Sequence, residues 1–258
     1  MGLLCCPVCM APLTREGRTA RCAGGHAFDY AKEGYLNLLA GRHKAGALSG
    51  DSREMALARR AFLDRGYFAP LKEALAALAG PGPGLDICCG EGYYSEVLGR
   101  EAYAFDLSKE MVRLAARRGT ATCFVANISS IPLPAGSIGT AIHLFAPFHD
   151  AQFARVLDDR GTLLTVVPGR RHLMGMKEVL YEAPYENDEA PPHAPSFTVA
   201  ARHEVRARVR IDGAADIAAL LHMTPYGVRS PRAGIARLEA MDTLETELGF
   251  VIYFLKKS

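Results

Sequence analysis

The sequence contains no tryptophan, no excess of one charge and no apolar run of the ~18–20 residues that a membrane-spanning helix needs. The N-terminal segment also lacks the basic start of a secretory signal. The 258 residues carry 30 basic and 28 acidic side chains, a net charge of +2 that neither demands nor excludes a nucleic-acid partner. Hydrophobic residues make up 49% and charged residues 22%. The sequence therefore predicts a cytoplasmic globular protein with one main domain and room for a small satellite.

The seven cysteines are an odd number, which argues against a disulfide framework, and four of them fall within the first 22 residues. Cys6 and Cys9 form a CxxC pair, and Cys22 with His26 forms a CxxxH pair after twelve intervening residues. Two such pairs are typical of tetrahedral zinc, and four protein ligands that leave no place for water indicate a structural site. Cys5 is the alternative first ligand, but the two-residue spacing to Cys9 favours Cys6. A thioredoxin-like redox pair is disfavoured, because such a pair belongs at a strand-to-helix junction.

Beyond a sharp Gly/Pro break at 80–84, apolar strand candidates alternate with amphipathic helices. This alternation predicts an α/β fold with a mainly parallel sheet covered by helices on both faces. The predicted strands are 85–89, 103–107, 123–127, 140–145, 162–167, 202–211 and 249–255, and the predicted helices are 94–100, 109–118, 151–157, 214–223 and 233–243. A further predicted helix, 70–79, precedes the break. Asp51-Ser52 is a candidate cap for one more helix upstream. We expect three parts: a zinc-binding module over 1–45, a helical connector over 46–80 and the α/β domain over 81–258.

A glycine turn follows the first strand of the α/β domain. Asp86 lies in that strand, and Gly90, Glu91 and Gly92 lie in the turn, while Asp106 ends the next strand 20 residues after Asp86. Glycines let the backbone pass close to a ligand, and an acid at the second strand end can accept hydrogen bonds from ribose hydroxyls. A dinucleotide would need GxGxxG and a helix N-terminus for its pyrophosphate, whereas acidic residues suit the sulfonium and ammonium groups of S-adenosylmethionine. These five residues are therefore candidate contacts for S-adenosylmethionine, which the turn favours over NAD.

Further motifs follow one another in a fixed order along almost the whole chain. They are FDYAKEGYLNLL at 28–39, GDS at 50–52, ARRAFLD at 58–64, CGEGYY at 89–94, FAP at 145–147, PGRRHLM at 168–174 and MTP at 223–225. Together with the CxxC and CxxxH pairs, they resemble the bacterial 23S rRNA guanine-N1 methyltransferases of the RlmA type, which include members conferring resistance to tylosin-like macrolides. The resemblance implies a Rossmann-like class I methyltransferase domain preceded by a small zinc-binding module for RNA recognition.

The resemblance also implies a reaction, partners and site residues. S-adenosylmethionine would be the methyl donor, the acceptor would be N1 of a guanine in a hairpin loop of 23S rRNA, and two copies would pair as a homodimer. The zinc ligands would be Cys6, Cys9, Cys22 and His26, and the cofactor contacts would include Gly90, Glu91, His172 and Phe68. Phe68 stands where the family often has tyrosine. Cys88 stands where the family commonly has glycine. Two interpretations stay open: the cysteine side chain narrows the cofactor turn, or the backbone at this position does not need the positive φ that glycine permits.

The residue that assists the chemistry is not identified by the sequence. Guanine N1 carries a proton at neutral pH, so a base or a group that stabilises the O6 enolate would help its methylation. Candidates at the expected sheet edge are Asn127, His143, His149 and Asp150, and no spacing argument selects among them. For His143, a packed strand residue is an equally good interpretation.

Positive charge is concentrated towards the N-terminus, where residues 1–80 have eleven basic and seven acidic side chains. Such a charge suits RNA phosphates. Phe28, Tyr30 and Tyr35 offer either stacking surfaces for unpaired bases or core packing of a small module. The pairs Arg59-Arg60 and Arg170-Arg171 could contact phosphate or lie on a solvated surface, and the arginines of strand 202–211 are more typical of a solvated sheet face.

Two other functions fit parts of the sequence. A small-molecule methyltransferase would have no use for the N-terminal 40 residues. A non-catalytic RNA-binding relative would have a weakened cofactor site, and Cys88 in the glycine turn is the feature that supports it.

Overall fold

The computed structural model describes residues 2–39 and 53–258, and the side chain of Glu54 is not among the described parts. The candidate cap at Asp51-Ser52 and the boundary between residues 45 and 46 lie outside the described residues. Helix α1 covers Arg53–Asp64 and α2 covers Ala69–Leu78. None of the helices in the described ranges is long and apolar enough to cross a bilayer.

The N-terminal segment forms a three-stranded antiparallel sheet of β1 (Thr14–Glu16), β2 (Thr19–Arg21) and β3 (Ala27–Asp29). A fourth strand, β4 (Leu36–Asn37), leaves this sheet and joins the edge of the main sheet. Leu4, Leu36 and Leu38 are buried there with Phe105 and Phe124 of the α/β domain. The module therefore shares its hydrophobic core with the domain that follows it.

Within the described residues, the main sheet has eight strands in the order β10-β11-β9-β8-β5-β6-β7-β4. Its further strands are β5 (Gly84–Ile87), β6 (Ala102–Asp106), β7 (Thr122–Val125), β8 (Ile138–Leu144), β9 (Leu157–Pro168), β10 (Phe197–Asp212) and β11 (Thr243–Lys257). The strands from β4 to β9 run parallel, and β11 and β10 are antiparallel to their neighbours. The chain builds outward from β5 in both directions, so the edge between β5 and β8 is the topological switch point at which open α/β sheets bind ligands.

Helices cover both faces of this sheet. They are α3 (Lys109–Arg118), α4 (Asp150–Val156), α5 (Met174–Leu180), α6 (Ala214–His222), α7 (Tyr226–Arg229) and α8 (Arg232–Glu239). The prediction for α3 is confirmed at both ends, because the Ser108 hydroxyl accepts from Met111 N and Gly119 ends the helix at φ +71°. The predicted helix 94–100 is wrong in length and type, since only a 3₁₀ turn forms at Ser95–Leu98 before Gly99 turns the chain at φ +75°.

The last hairpin is longer than predicted. Strands β10 and β11 pair over almost their full length, whereas only Phe250–Leu255 of β11 also pairs with β9. The predicted helix 233–243 ends four residues early, at Glu239, and β11 begins at Thr243. Arginines and acids face each other across the part of the hairpin that extends beyond β9. On its other face, Leu244 and Leu248 are buried in the hydrophobic core.

Candidate cofactor site and zinc centre

A cavity of about 710 Å³ opens beyond the carboxyl ends of β5, β6, β7 and β8. Six of the seven predicted cofactor residues line it, namely Phe68, Asp86, Gly90, Glu91, Asp106 and His172. The seventh, Gly92, is not among the lining residues. A Cβ at Gly92 would lie 2.9 Å from the Ala115 side chain, so this glycine permits α3 to pack against the turn.

The glycine turn has positive φ at three positions: Cys88 at +56°, Gly90 at +55° and Gly92 at +83°. The sequence left open whether the position of Cys88 needs a positive φ, and in the structure it has one. An L-residue in this region carries strain of roughly 1–2 kcal/mol. Cys88 therefore keeps the glycine-like course of the turn, at a cost in stability, and adds its side chain to the cavity wall.

The two aspartates hold the turn in place. Asp106 accepts from Gly90 N at 3.0 Å and from Ser108 N at 2.8 Å, so its carboxylate fixes both the turn and the start of α3. Asp86 is buried and accepts from the Ser95 hydroxyl at 2.7 Å. Burial raises the pKa of Asp86 to about 7, although the Ser95 hydrogen bond opposes the shift.

Glu91 is 1% exposed and forms an ion pair beneath the turn. Arg118 Nε donates to Glu91 Oε2 at 2.7 Å, and Arg118 also bonds Asp64 at 2.7 Å. Burial raises the pKa of Glu91, and the neighbouring Arg118 guanidinium counteracts this effect. The negative charge that the sequence places in the turn is therefore already matched by a cation on α3.

Aromatic rings form the opposite wall. His172 lies against Phe250 with ring centroids 4.6 Å apart, against Phe68 at 6.2 Å and against Phe145 at 6.5 Å. Burial, followed by the charge of Lys177, lowers the pKa of His172 to about 3, so its imidazole is neutral at physiological pH. The Phe145 ring is 51% exposed, and its backbone is held at φ +54°.

The cavity fits a polar ligand. Glu91 Oε1, Tyr94 Oη and His172 Nδ1 are buried without a hydrogen-bond partner among the described residues, and all three residues line the cavity. Buried polar atoms in native proteins are almost always paired, and a polar ligand in the cavity would supply the missing partners. The donors and acceptors of S-adenosylmethionine match this requirement.

The four candidate bases are mostly engaged in structural contacts. His143 Nδ1 lies 2.9 Å from the Thr165 hydroxyl, and burial lowers the pKa of His143 to about 4. His149 caps α4, and Asp150 accepts two hydrogen bonds from Ser196. Asn127 lines the cavity, while its Oδ1 accepts from Ser129. The packed-residue interpretation of His143 therefore agrees with the structure.

The four predicted zinc ligands lie together, with their ligand atoms within 4.8 Å of one another. Cys9 Sγ is 3.7 Å from Cys22 Sγ, and His26 Nδ1 is 3.6 Å and 3.4 Å from these two sulfurs. Tetrahedral Zn–S and Zn–N bonds place sulfurs about 3.8 Å apart and sulfur and nitrogen about 3.6 Å apart. The donor set thus fits zinc. Cys5 Sγ is 3.7 Å from Leu3 O, outside the cluster.

The aromatic residues near the zinc cluster differ in exposure. Tyr35 is buried, Phe28 and Tyr30 pack against the core that the module shares with the α/β domain, and Arg15 lies over the Tyr30 ring at 4.5 Å. These contacts agree with core packing better than with free stacking surfaces.

Acidic side chains neutralise the row of arginines on β10, where Arg206 lies 2.5 Å from Glu204 and Arg208 lies 3.8 Å from Glu247. The solvated-face interpretation agrees with these pairs.

Several lining residues were not singled out as cofactor contacts from the sequence, among them Arg59, Leu107, Asn127, Ile128, Phe145 and Tyr226. The segments ARRAFLD, FAP and MTP carry or adjoin three of them. Each segment is distant in sequence from the glycine turn, so only the tertiary fold brings it to the cavity.

A zinc-ribbon family model described as "RlmA, N-terminal" matches residues 4–46, and one described as "Methyltransferase domain" matches residues 85–164. The chain is 36% identical to a 23S rRNA (guanine(748)-N(1))-methyltransferase from Streptomyces fradiae, an alignment that covers 80% of this chain and 79% of the relative. The chain belongs to the 23S rRNA (guanine-N1)-methyltransferase family. A candidate member from Micromonospora griseorubida is 34% identical over 68% of each chain.

The fold comparison agrees with this family. A solved structure of a candidate type II methyltransferase from Anaeromyxobacter dehalogenans superposes with a TM-score of 0.51 at 20% identity, covering 71% of this chain and 94% of the other. The predicted class I methyltransferase fold with an N-terminal zinc ribbon is therefore confirmed, and so is its dependence on S-adenosylmethionine and structural zinc. The individual cofactor and zinc contacts stay predictions.

Proposed function

We propose that this protein transfers a methyl group from S-adenosylmethionine to N1 of a guanine in a hairpin loop of 23S rRNA. The observation that carries the proposal is the cavity at the topological switch point, where three of the described lining residues have a buried polar atom without a partner and Phe145 is exposed at the edge. Bound S-adenosylmethionine supplies an electrophilic methyl group. The family and the zinc ribbon support rRNA as the acceptor.

The residues that line the cavity would bind S-adenosylmethionine and orient it towards the guanine. The Asp106 carboxylate is positioned to receive ribose hydroxyls next to the turn that it fixes, and Leu107 and Ile128 provide apolar walls beside it. Glu91 Oε1 offers an acceptor, and His172 Nδ1 offers a donor or an acceptor according to the imidazole tautomer. Holding acceptor and donor in attack geometry is the main contribution to such a displacement, worth up to ~7–11 kcal/mol.

Phe145 is the side chain best placed to meet the target base. Phe145 lowers the stability of the fold in two ways: its backbone is in the strained left-handed conformation, and its half-exposed phenyl ring leaves apolar surface in water. Strained residues of this kind cluster at functional sites. Unpaired RNA bases are commonly stacked on aromatic rings, so we assign Phe145 as the stacking partner of the guanine that enters the cavity.

Loss of the N1 proton is not assigned to a side chain. His172 is neutral with a pKa of about 3 and is a weak base. Of the two candidate histidines, His143 is held by Thr165 and by the Pro147 carbonyl, and His149 caps α4. Stabilisation of the guanine anion by positioned donors is then the more effective contribution of the site. The Asn127 side-chain amide, at the cavity wall, is a candidate donor.

The zinc ribbon and a second copy complete the proposal. The ribbon is fixed to the sheet edge through β4 and through Cys5 N, which donates to Pro132 O at 2.9 Å. It therefore has a constant position relative to the cavity and can set the register of a hairpin. Pairing as a homodimer follows from the resemblance, and sedimentation of the zinc-loaded protein would test it.

The direct test is methylation in vitro. The zinc-loaded full chain is incubated with labelled S-adenosylmethionine and unmodified 23S rRNA or its hairpin fragments, and the guanine corresponding to the position in the Streptomyces fradiae relative's name is examined first. We expect label at N1 of one guanine. Label on a metabolite but not on RNA would support a small-molecule methyltransferase instead, and no binding of S-adenosylmethionine would support a non-catalytic RNA-binding relative.

A further inference from the structure

We propose that Arg59 binds the carboxylate of the methyl donor's amino-acid end, an inference that rests on the proposed use of the cavity for S-adenosylmethionine. The sequence analysis considered Arg59 only as a phosphate contact or a solvated residue. In the structure it lines the cavity from α1, next to the glycine turn.

The position of the guanidinium supports this role. Arg59 Nη1 lies 3.7 Å from the point that a Cβ at Gly90 would occupy. Arg59 Nη2 donates to Met223 O at 3.4 Å. The group therefore bridges the glycine turn and the segment that begins at Met223, both of which line the cavity. A larger residue at position 90 would approach this guanidinium, so the glycine and the arginine together define one end of the cavity.

The charges of the cavity wall also favour Arg59 as the ligand of the carboxylate. Among the described lining residues, Asp86, Glu91 and Asp106 are the acids, and Arg59 is the one arginine or lysine. An amino-acid end carries an ammonium and a carboxylate, so its binding calls for one acceptor and one cation. Glu91 Oε1, buried without a partner in the described part of the chain, suits the ammonium. Arg59 suits the carboxylate, which a planar guanidinium can bind through two parallel hydrogen bonds.

The backbone of the turn is poorly placed to replace this cation. Gly90 N donates to Asp106 at 3.0 Å, and Gly92 N donates to Cys89 O at 3.0 Å, so both glycine amides are already engaged. Where a helix follows such a turn, its N-terminus can hold an anion. Here only the four-residue 3₁₀ turn Ser95–Leu98 follows. A side-chain cation is therefore the stronger ligand for the carboxylate.

The test compares two donors in calorimetric binding experiments. S-adenosylmethionine and decarboxylated S-adenosylmethionine differ only in the carboxylate. We expect Arg59→Met to weaken S-adenosylmethionine binding by about 10- to 100-fold, the range for a lost hydrogen bond to a charged group. Binding of the decarboxylated donor should stay within about twofold, since that donor never uses the contact. The variant therefore loses the wild-type preference for the carboxylate.

Arg60→Met is the matched control, because it removes the same charge from the same helix. Arg60 Nη1 donates to Leu114 O at 3.3 Å, and Arg60 Nε lies 3.6 Å from Asp64, so it faces α3. This control should keep the wild-type preference. A second variant, Arg59→Lys, keeps the charge without the planar fork and should retain part of the preference even if Arg59→Met does not fold.

The outcomes separate this inference from the proposed function. Failure of the wild-type chain to bind either donor would contradict the proposed function itself. Normal binding by the wild type, together with equal weakening of both donors in Arg59→Met and Arg59→Lys, would show a structural role for Arg59 and overturn the inference. Unchanged binding of both donors in these variants would also overturn it.

Discussion

The strained backbone at Cys88 provides a quantitative prediction. Cys88 occupies a turn position at φ +56°, where the resemblance places glycine. We compare Cys88→Gly with Cys88→Ala, which both remove the thiol but differ in whether they relieve the strain. Cys123, buried in β7 and not among the described residues with positive φ, receives the same two substitutions as a control.

The size of the expected difference in the free energy of unfolding follows from the terms that the glycine and alanine variants have in common at positions 88 and 123. Replacing alanine by glycine costs roughly 0.5–1 kcal/mol of chain entropy at both sites, and this term cancels in the difference between the pairs. The lost apolar burial is about 0.8 kcal/mol at buried Cys123 and smaller at half-buried Cys88, so its contribution has the same sign as the strain. The left-handed strain at position 88 is roughly 1–2 kcal/mol. Relative to alanine, glycine should therefore be better tolerated at 88 than at 123 by at least this amount in the free energy of unfolding.

Urea denaturation of the four zinc-loaded variants measures this difference. A thermal melt is the second measurement, because 1 kcal/mol corresponds to about 2–4 °C in a chain of this size. If the free energy of unfolding of the glycine variant differed from that of the alanine variant by the same amount at positions 88 and 123, the claim that Cys88 is strained would be refuted. Because Cys88→Gly keeps the course of the turn, we also expect its affinity for S-adenosylmethionine to stay within a few-fold of wild type.

Three further predictions concern the zinc, the base and a buried acid. Cys9→Ser should release about one zinc per chain and abolish rRNA methylation while cofactor binding persists, whereas Cys5→Ser, outside the cluster, should keep the zinc in metal analysis. Phe145→Ala should lower the rate of RNA methylation at unchanged cofactor affinity, and Phe145→Tyr should restore most of it, in single-turnover assays. Burial raises the pKa of Asp86 to about 7, so the stability contributed by this group is present at low pH and is lost as the pH rises through 7. Wild type should therefore lose stability relative to Asp86→Asn between about pH 4 and pH 7 in urea titrations.

Each of these predictions has a contrary result. Unchanged zinc content in Cys9→Ser would remove this cysteine from the ligand set. Weakened cofactor binding in Phe145→Ala, equal to the loss in rate, would show that the ring supports the cavity and not the base. A pH-independent difference between wild type and Asp86→Asn would contradict the raised pKa of this carboxyl.

The sequence predicted the parts of the fold that local chemistry determines. The predicted bounds of α3 are confirmed, and the structure explains them by the cap at Ser108 and the stop at Gly119. The spacing of two ligand pairs predicted the cluster of Cys6, Cys9, Cys22 and His26. The docking of β4 could not be predicted, because a two-residue strand forms only when β7 offers an edge for it. The same limit applies to the orientation of His26, whose Nδ1 faces the Cys9 and Cys22 sulfurs because of how the two pairs meet in space.

The two walls of the candidate site were predicted from different signals. The glycine turn and the two aspartates lie close together in sequence and carry a recognisable pattern, whereas Phe68 and His172 of the opposite wall were expected only from the resemblance. Arg59 and Phe145 lie in motifs of that resemblance, but their place at the cavity depends on the tertiary fold. The positive φ of Cys88 was left open, because cysteine gives no local signal for it.

The central claim is the identity of the modified atom. Primer extension on 23S rRNA from cells with and without this protein tests it most directly, since a methyl group at guanine N1 blocks Watson–Crick pairing and stops the polymerase. We predict a stop at one hairpin guanine in cells that contain the protein, with N1-methylguanosine found there by mass spectrometry. The same stops in both RNAs, or a methyl group at another atom, would contradict the account.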